Sequence, residues 1–194
     1  MEPDKAADKM LPGYDIDKAA QATAFFALKA GGAINVLKLS KLLYLAEREA
    51  MARYDSPMFF DNLFSMPDGP VVSVTLNLIN GELENPKWSR FVTVRSGYDI
   101  RAAAGVNFDS LVDLSKADID ILTSLWDQFG SFDRYALRDW THKKENIPEW
   151  EDPDGSSYLI SHEKVFRNLG KTDPKALVED VTEYRDMKRR LERS

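Results

Sequence analysis

Three polar residues at the end of one predicted helix have the types and spacing of a catalytic or metal site. Asp139, His142 and Glu145 recur every third residue, so a continuous helix would place them near one face. They could bind a metal ion or form an acid–base set. The chain contains no HExxH, GxSxG or phosphate-loop motif, however. Since His142 also stands beside Trp140 and near Trp150, we favour a structural role for it and keep a hydrolase or metal enzyme as the alternative.

The basic end of the last predicted helix, YRDMKRRLERS, is the second candidate for chemistry. The helix dipole stabilises cations near a C-terminus, which explains these residues without a ligand. The sharper interpretation is contact with a membrane or with nucleic acid, including a DNA-binding autoregulator. A net charge of -6 argues against nucleic-acid binding over the whole surface, although it leaves room for a local basic patch.

The composition predicts a globular protein with one main domain. The 194 residues are 43% hydrophobic and 30% charged, which is enough apolar material for a core. The chain has no cysteine, which excludes disulfides, thiol nucleophiles and cysteine zinc sites. The charged N-terminal segment has no apolar signal core, and no run approaches the roughly 20 apolar residues of a membrane span. We therefore expect a cytoplasmic protein.

A predicted helix over residues 34–54 must position the rest of the chain. Its apolar side chains recur at helical spacing: Val36, Leu39, Leu43, Ala46, Ala50 and Tyr54. Leu42 and Leu45 widen this stripe, and a helix that is apolar almost all round is usually buried. We expect the seam through Lys41 and Arg48 to face water.

Several shorter helices are predicted around this central helix. An alanine-rich helix over residues 17–30 ends at Gly31 and Gly32. Pro70 suits the first turn of another helix, which Gly81 can close.

A pair of helices is predicted further along the chain. Ser115 caps a helix that ends at Gly130, and Ser131 or Asp133 opens the next one. The short connection predicts that the two pack together as a helical hairpin. The expected buried stripe of the first is Ile119, Leu122, Leu125, Trp126 and Phe129.

The fold class expected from these elements is mainly α (α+β). A small β-hairpin is predicted from residues 88–94 and 98–101, and it must pack on the helices to be stable. The expected organisation is a loose tail over residues 1–14 and a compact helical domain over residues 15–172. A C-terminal helix over residues 173–194 packs on that domain or extends from it.

The order and spacing of several short motifs resemble the Panacea domain family of SocA-like antitoxins and phage-associated proteins. KLLYLAERE at residues 41–49 is similar to the family's KLLYxADRE helix. The later matching positions are Tyr54 and Pro57, Gly69-Pro70-Val71, Leu114-Ser115 with the helix to Gly130, Leu137, Thr141-His142, and Pro148 with Trp150. Asp55 and Asp68 replace the glycine and the aromatic residue that are usual in the family. The resemblance covers residues 15–151.

This resemblance implies a helical domain that neutralises a protein toxin encoded beside it, mostly by direct binding. The SocA-type member is an adaptor that delivers its toxin to the ClpXP protease, so a ClpXP-type protease is a further implied partner. The family offers no catalytic residue, cofactor or metal to carry over, which implies a protein that is not an enzyme. The motif positions expected to be structural are Lys41, Leu43, Tyr44, Glu47, Gly69, Pro70, His142 and Trp150.

A toxin-binding surface needs apolar side chains that the domain's own core does not use. The aromatic segment MFFDNLF is either a strand or loop packed on the central helix, which we favour, or an exposed patch. The last helix carries apolar residues that alternate with arginines able to steer an acidic partner. The candidate toxin contacts are Phe59, Phe60, Phe64, Tyr184, Met187 and Leu191.

Overall fold

The computed structural model of the chain describes residues 11–191. The helices of this part are α1 (Ile16–Lys29), α2 (Val36–Tyr54), α3 (Ser73–Asn80), α4 (Pro86–Ser89), α5 (Lys116–Phe129), α6 (Arg134–Thr141), α7 (His162–Asn168) and α8 (Pro174–Leu191). The strands are β1 (Ala33–Asn35), β2 (Leu63–Met66), β3 (Gly69–Val72), β4 (Asp99–Arg101) and β5 (Tyr158–Ile160). The predicted mainly α class with a small β component is confirmed. Among residues 11–191, the helices are all too short or too polar to cross a membrane.

Helix α2 occupies the centre of the fold. Asn35 caps it by accepting a hydrogen bond from the Leu37 amide at 3.0 Å. The helix begins at Val36 rather than at Ile34 because residues 33–35 pair as strand β1. Helices α1, α5, α6 and α7 and strands β1 and β3 all pack against α2. Leu43 is fully buried at this crossing of elements.

Two small antiparallel sheets join segments that are distant in sequence. Strands β2 and β3 form a hairpin around the turn at Pro67 and Asp68, and β5 pairs with the other edge of β2. The second sheet pairs β1 with β4, with Ile34 opposite Ile100. The first sheet holds the β2–β3 turn beside α2 and α6.

The hairpin predicted over residues 88–101 is only partly correct. Residues Pro86–Ser89 form helix α4, which buries Trp88. Two isolated bridges then join Val92 to Ala102 and Ser96 to Asp99. The predicted returning strand is present as β4. Because residues 86–89 are helical, they cannot form the first strand of the predicted hairpin. Strand β4 pairs instead with β1.

The sequence predicted that Pro70 begins a helix, but Pro70 lies in strand β3. Helix α3 begins later, at Ser73. Pro70 lies opposite Ser65 on a strand at the edge of its sheet, where a residue without an N–H is tolerated. Gly81 ends α3 in the left-handed conformation, as predicted.

Helices α5 and α6 have the predicted caps, Ser115 and Asp133. The Phe129 ring of α5 meets the Trp140 ring of α6 at a centroid distance of 4.8 Å, although each helix packs mainly on α2. The buried face of α5 differs from the predicted stripe. Ile121 is fully buried, whereas Ile119 is 38% exposed. The inner face of α5 is set by contact with both α1 and α2.

Both ends of the described chain complete the same core. Tyr14 falls in the segment predicted as a loose tail, yet it is buried and its hydroxyl lies 2.8 Å from Thr75 Oγ1. The first part of that predicted tail, residues 1–10, lies outside the described residues. Helix α8 packs on α7 and buries Val181. Over its described part, the C-terminal helix therefore folds back onto the domain.

Candidate functional site

One face of α2 carries four polar side chains: Lys41, Tyr44, Glu47 and Arg48. Lys41 is fully buried and the Arg48 side chain is only 17% exposed. The prediction that these two residues form a water-facing seam is therefore wrong. Distant segments bring hydrogen-bond acceptors to this face, and spacing within one helix cannot reveal such partners.

Lys41 joins α2 to strand β3. Its Nζ donates a hydrogen bond to the Pro70 carbonyl oxygen at 3.0 Å. Burial is the main cause that lowers the pKa of Lys41 to about 7. The positive charge of Arg138 lowers this pKa further, whereas the negative charge of Asp68 acts to raise it. At neutral pH this ammonium group is thus close to losing its proton.

Tyr44 and Arg48 join α2 to the segment that follows α6. The Tyr44 hydroxyl donates to Glu149 Oε1 at 2.7 Å, and Arg48 Nε donates to the same oxygen at 2.6 Å. Glu149 is fully buried. Burial and the neighbouring Glu149 raise the pKa of Tyr44 well above its usual value, so Tyr44 acts as a neutral donor.

Glu47 fixes the loop that leaves α2. Its carboxylate accepts hydrogen bonds from the backbone amides of Met58 at 2.7 Å, Phe59 at 2.6 Å and Asp61 at 2.9 Å. Burial raises the pKa of Glu47 to about 7, although the amides act to lower it. This carboxylate folds the loop back onto α2 and so draws its aromatic side chains into the core.

Asp61 then fixes the start of α3. It accepts from the amides of Val74 and Thr75, each at 2.9 Å, and from the Thr75 hydroxyl at 2.7 Å. These amides belong to the first turn of α3, whose donors have no partner within the helix. Sequence reasoning missed Asp61; the available signal was a single acidic residue inside an aromatic run.

Gly69 and His142 form a close contact between β3 and the end of α6. Gly69 has a φ of +100°, and a Cβ added there would lie 3.0 Å from both His142 Nε2 and Thr141 Oγ1. The His142 ring stacks on Trp150 at a centroid distance of 4.2 Å. Trp150 Nε1 in turn donates to the Met66 carbonyl at 3.2 Å. Burial lowers the pKa of His142, which favours the neutral ring.

Asp139, His142 and Glu145 are not brought together as a site. Helix α6 ends at Thr141, so the three residues do not share a helical face. Asp139 is exposed and pairs with Arg138 at 2.7 Å, and Glu145 is also exposed. Within residues 11–191, there is no group of three or more histidine and carboxylate side chains that could bind one metal ion.

A cleft of about 570 Å³ opens beside the buried Lys41. This Lys41 cleft lies between α2, the β2–β3 turn, α6 and residues 95–98. Its charged lining residues are Lys41, Asp68, Arg95, Arg134 and Arg138. Tyr98 and Tyr135 add rings that are 78% and 49% exposed. Sequence reasoning did not find this cleft, because its residues come from five separate segments, including Leu76 and Asn80 of α3.

The predicted toxin contacts divide into buried and exposed residues. Phe59 is fully buried and Phe60 is 5% exposed, so the prediction of surface anchors is corrected for both. They are buried because the Glu47 carboxylate accepts hydrogen bonds from the backbone amides of Met58 and Phe59 and so holds this loop against α2. Phe64, in β2, is half-buried.

The predicted contacts on α8 are more accessible than those of the aromatic run. Met187 and Leu191 are 51% and 67% exposed. Tyr184 is 38% exposed and stacks on Phe60 at a centroid distance of 4.2 Å. Tyr184 therefore attaches α8 to the domain, and Met187 and Leu191 carry the exposed apolar surface.

Two basic residues of α8 also attach the helix to the domain. Arg185 Nη2 donates to the carbonyl oxygens of Phe60 at 2.7 Å and Asp61 at 3.1 Å. Lys188 pairs with Asp15 at 2.5 Å. Part of the basic character that suggested nucleic-acid binding is thus explained by contacts inside the protein.

The hydrogen bonds of the α2 face link the motif segments to one another. Lys41 contacts the Gly-Pro-Val strand, Tyr44 contacts the segment after α6, and Gly69 contacts His142. These residues are placed to hold the chain together. Within the described residues, these side chains are not arranged as a nucleophile beside a general base.

Comparison with known proteins identifies the same segments. A protein-family model described as antitoxin SocA-like, Panacea domain, matches residues 39–151. A search of curated proteins and a search of solved structures each returned no match. The family match covers more than half of the chain and includes the motif positions from Lys41 to Trp150. This protein belongs to the SocA-like antitoxin, Panacea domain family.

Proposed function

We propose that this protein is an antitoxin that neutralises a cognate protein toxin by direct binding. The observation that carries the proposal is the family match over residues 39–151, in a segment whose motif side chains are engaged inside the fold. Lys41, Tyr44 and Glu47 hold other parts of the chain, so they are not free to act on a substrate. Binding through surface side chains is the function this arrangement favours.

The α8 surface is a proposed part of the toxin contact. Met187 and Leu191 expose apolar area on α8 beside Tyr184, which packs on Phe60 of the domain. Charged residues surround them, including Glu183, Asp186 and Arg190. Apolar residues with a charged rim are the usual composition of a protein interface.

Co-expression with the product of the adjacent gene tests the proposal. The toxin alone is expected to stop growth, and the full-length protein is expected to restore growth and to co-purify with the toxin at a fixed ratio. Leu43→Asp is the matched negative control, because a charge in the core prevents folding. Restored growth without any complex, or no restoration by the wild-type protein, would overturn the proposal.

The same experiment examines the contribution of α8. Met187→Glu with Leu191→Glu should weaken co-purification while leaving the melting temperature close to that of the wild type, because both side chains are exposed. Wild-type co-purification by this variant would remove α8 from the interface without affecting the antitoxin proposal.

A further inference from the structure

The Lys41 cleft concentrates positive charge on an acidic protein. The whole chain has a net charge of -6, yet three arginines and the partly protonated Lys41 line this cleft, and Asp68 is the one acidic residue among its lining side chains. The cations come from α2, from α6 and from the loop after residue 94. This local reversal of sign favours a negatively charged ligand at this place.

The cleft contains a buried cation with unused donor capacity. An ammonium group has three N–H donors, and Lys41 Nζ makes one hydrogen bond within residues 11–191, to the Pro70 carbonyl. Burying a charge without full compensation is costly, so a carboxylate bound in the cleft would favour the charged form of Lys41 through its electrostatic attraction. The side chain lies within the wall of the cleft and is fully buried, so it contributes to the electrostatic potential of the cleft without touching a ligand.

Two arginines on α6 are held in place beside the same cleft. Arg134 and Arg138 lie one helical turn apart, and both guanidinium groups lie over the Tyr135 ring, at 4.7 and 5.2 Å from its centroid. Arg138 also pairs with the exposed Asp139. Stacking of this kind orients a guanidinium group and lowers the entropy lost when it binds a carboxylate.

The opposite wall carries a similar arrangement. Arg95 donates to the Gly97 carbonyl at 2.7 Å and to Asn80 Oδ1, and it lies 6.0 Å from the centroid of the Tyr98 ring. Arginine and tyrosine are the residue types that most often carry binding energy at protein interfaces. The two walls therefore resemble a protein-binding surface in composition as well as in charge.

A short acidic peptide fits these features better than a nucleic acid does. A volume of about 570 Å³ is the size of a cleft that encloses a small ligand or a few side chains. A long polyanion would extend beyond the cations onto a surface that is negative overall. A few Asp or Glu side chains in an otherwise neutral segment would place negative charge only where the cations are.

We propose that the Lys41 cleft receives an acidic segment of the partner protein, an inference that rests on the antitoxin function proposed above. The carboxylates of the segment bind Arg134 and Arg138, and its apolar atoms pack against Tyr98 and Tyr135. The cleft is then the specificity-determining part of the interface, since the pattern of acidic residues on the partner must match these cations.

A peptide titration at low ionic strength tests the inference with the full-length protein. Hexaglutamate amide is expected to bind, hexaglutamine amide is not, and Arg134→Glu with Arg138→Glu should weaken hexaglutamate binding by about tenfold or more. Lys116→Glu with Lys175→Glu is the matched control, because it changes the net charge equally at exposed positions outside the cleft. Binding by the control variant should stay within about twofold of wild type.

Several outcomes would overturn the inference. These are an absence of hexaglutamate binding, equal binding by the Arg134→Glu/Arg138→Glu variant, or tighter binding of a thymidine hexanucleotide, which would assign the cleft to phosphates. Arg134→Gln with Arg138→Gln repeats the measurement without adding acidic groups, in case the reversed charges disturb folding.

The adjacent gene product separates this inference from the proposed function. If the Arg134→Glu/Arg138→Glu variant binds that toxin as tightly as wild type, the cleft is not the contact and the antitoxin function stands. If the wild-type protein does not bind the toxin, the antitoxin proposal fails, and with it the proposed partner.

Discussion

Buried polar residues of α2 determine where the neighbouring segments go. Lys41, Tyr44 and Glu47 recur every third residue, so the helix places them near one side, and each binds a different segment. A buried polar group without a partner costs about 1–3 kcal/mol, so these contacts are required once the side chains are inside. The motif thus encodes the arrangement of the chain around α2.

Lys41 provides a pH-dependent test of this arrangement. Its pKa is about 7 in the folded protein and about 10.5 in the unfolded chain, so the unfolded state binds the extra proton between these values. Stability conferred through this group therefore rises with pH across that window, by at most about 1.4 kcal/mol per pH unit. Lys41→Met lacks the group and lacks this slope.

The measurement is urea unfolding of wild type and Lys41→Met at several pH values from 7 to 9. The wild-type free energy of unfolding is expected to increase relative to that of the variant as the pH rises. All other titrating groups are common to both proteins and largely cancel. A difference that stays constant over this range would show that Lys41 keeps an ordinary pKa and is solvated.

At the scale of elements, the contact between β3 and α6 depends on the absence of a side chain at Gly69. A Cβ added at Gly69 would lie 3.0 Å from Thr141 Oγ1 and His142 Nε2, so these side chains would have to shift slightly, and the φ of +100° is unfavourable for other residues. His142 is in turn held by the stack on Trp150. A small change at Gly69 should therefore disturb two motif segments together.

Gly69→Ala is expected to cost about 1–3 kcal/mol of unfolding free energy, from backbone strain and the displacement of His142. Gly32→Ala is the matched control. Gly32 has a similar φ, of +105°, but nothing lies within 4 Å of an added Cβ, so only backbone strain applies. Urea unfolding of both variants provides the comparison. Equal costs would mean that the close contact with α6 contributes nothing.

The ends of helices could be predicted from the sequence because their causes are local. Asn35, Ser115 and Asp133 cap their helices through amides two or three residues away, and Gly81 ends α3 by its own conformation. Short-range rules describe all of these contacts.

Which strands and helices pack together could not be predicted, because this depends on contacts between residues that are distant in sequence. Strand β4 pairs with β1 across more than 60 residues, and nothing in the hairpin-like sequence around it indicates that choice. Phe59 and Phe60 are buried because Glu47 binds their loop. The Lys41 cleft forms only where five segments meet, so the order of residues along the chain does not reveal its charge.

At the scale of the whole molecule, the matched segment is completed by elements outside it. Residues 39–151 omit α1, β5, α7 and α8, yet β5 extends the β2–β3 sheet and Arg185 binds the loop carrying Phe60. The result is one core with two distinct exposed surfaces, the Lys41 cleft and the Met187–Leu191 face of α8. Both are proposed above as contacts with a protein partner, and the Lys41 cleft is lined by charge opposite to the net charge of the molecule.

The most direct test of the account is a titration of toxin activity with this protein, using purified components and no protease. Direct binding predicts that toxin activity falls in proportion to added protein and reaches zero at a fixed integer molar ratio. An adaptor that only delivers the toxin to a protease would leave activity unchanged in this mixture. Complete inactivation far below one molar equivalent would reveal turnover. Either of these two results would contradict neutralisation by stoichiometric binding.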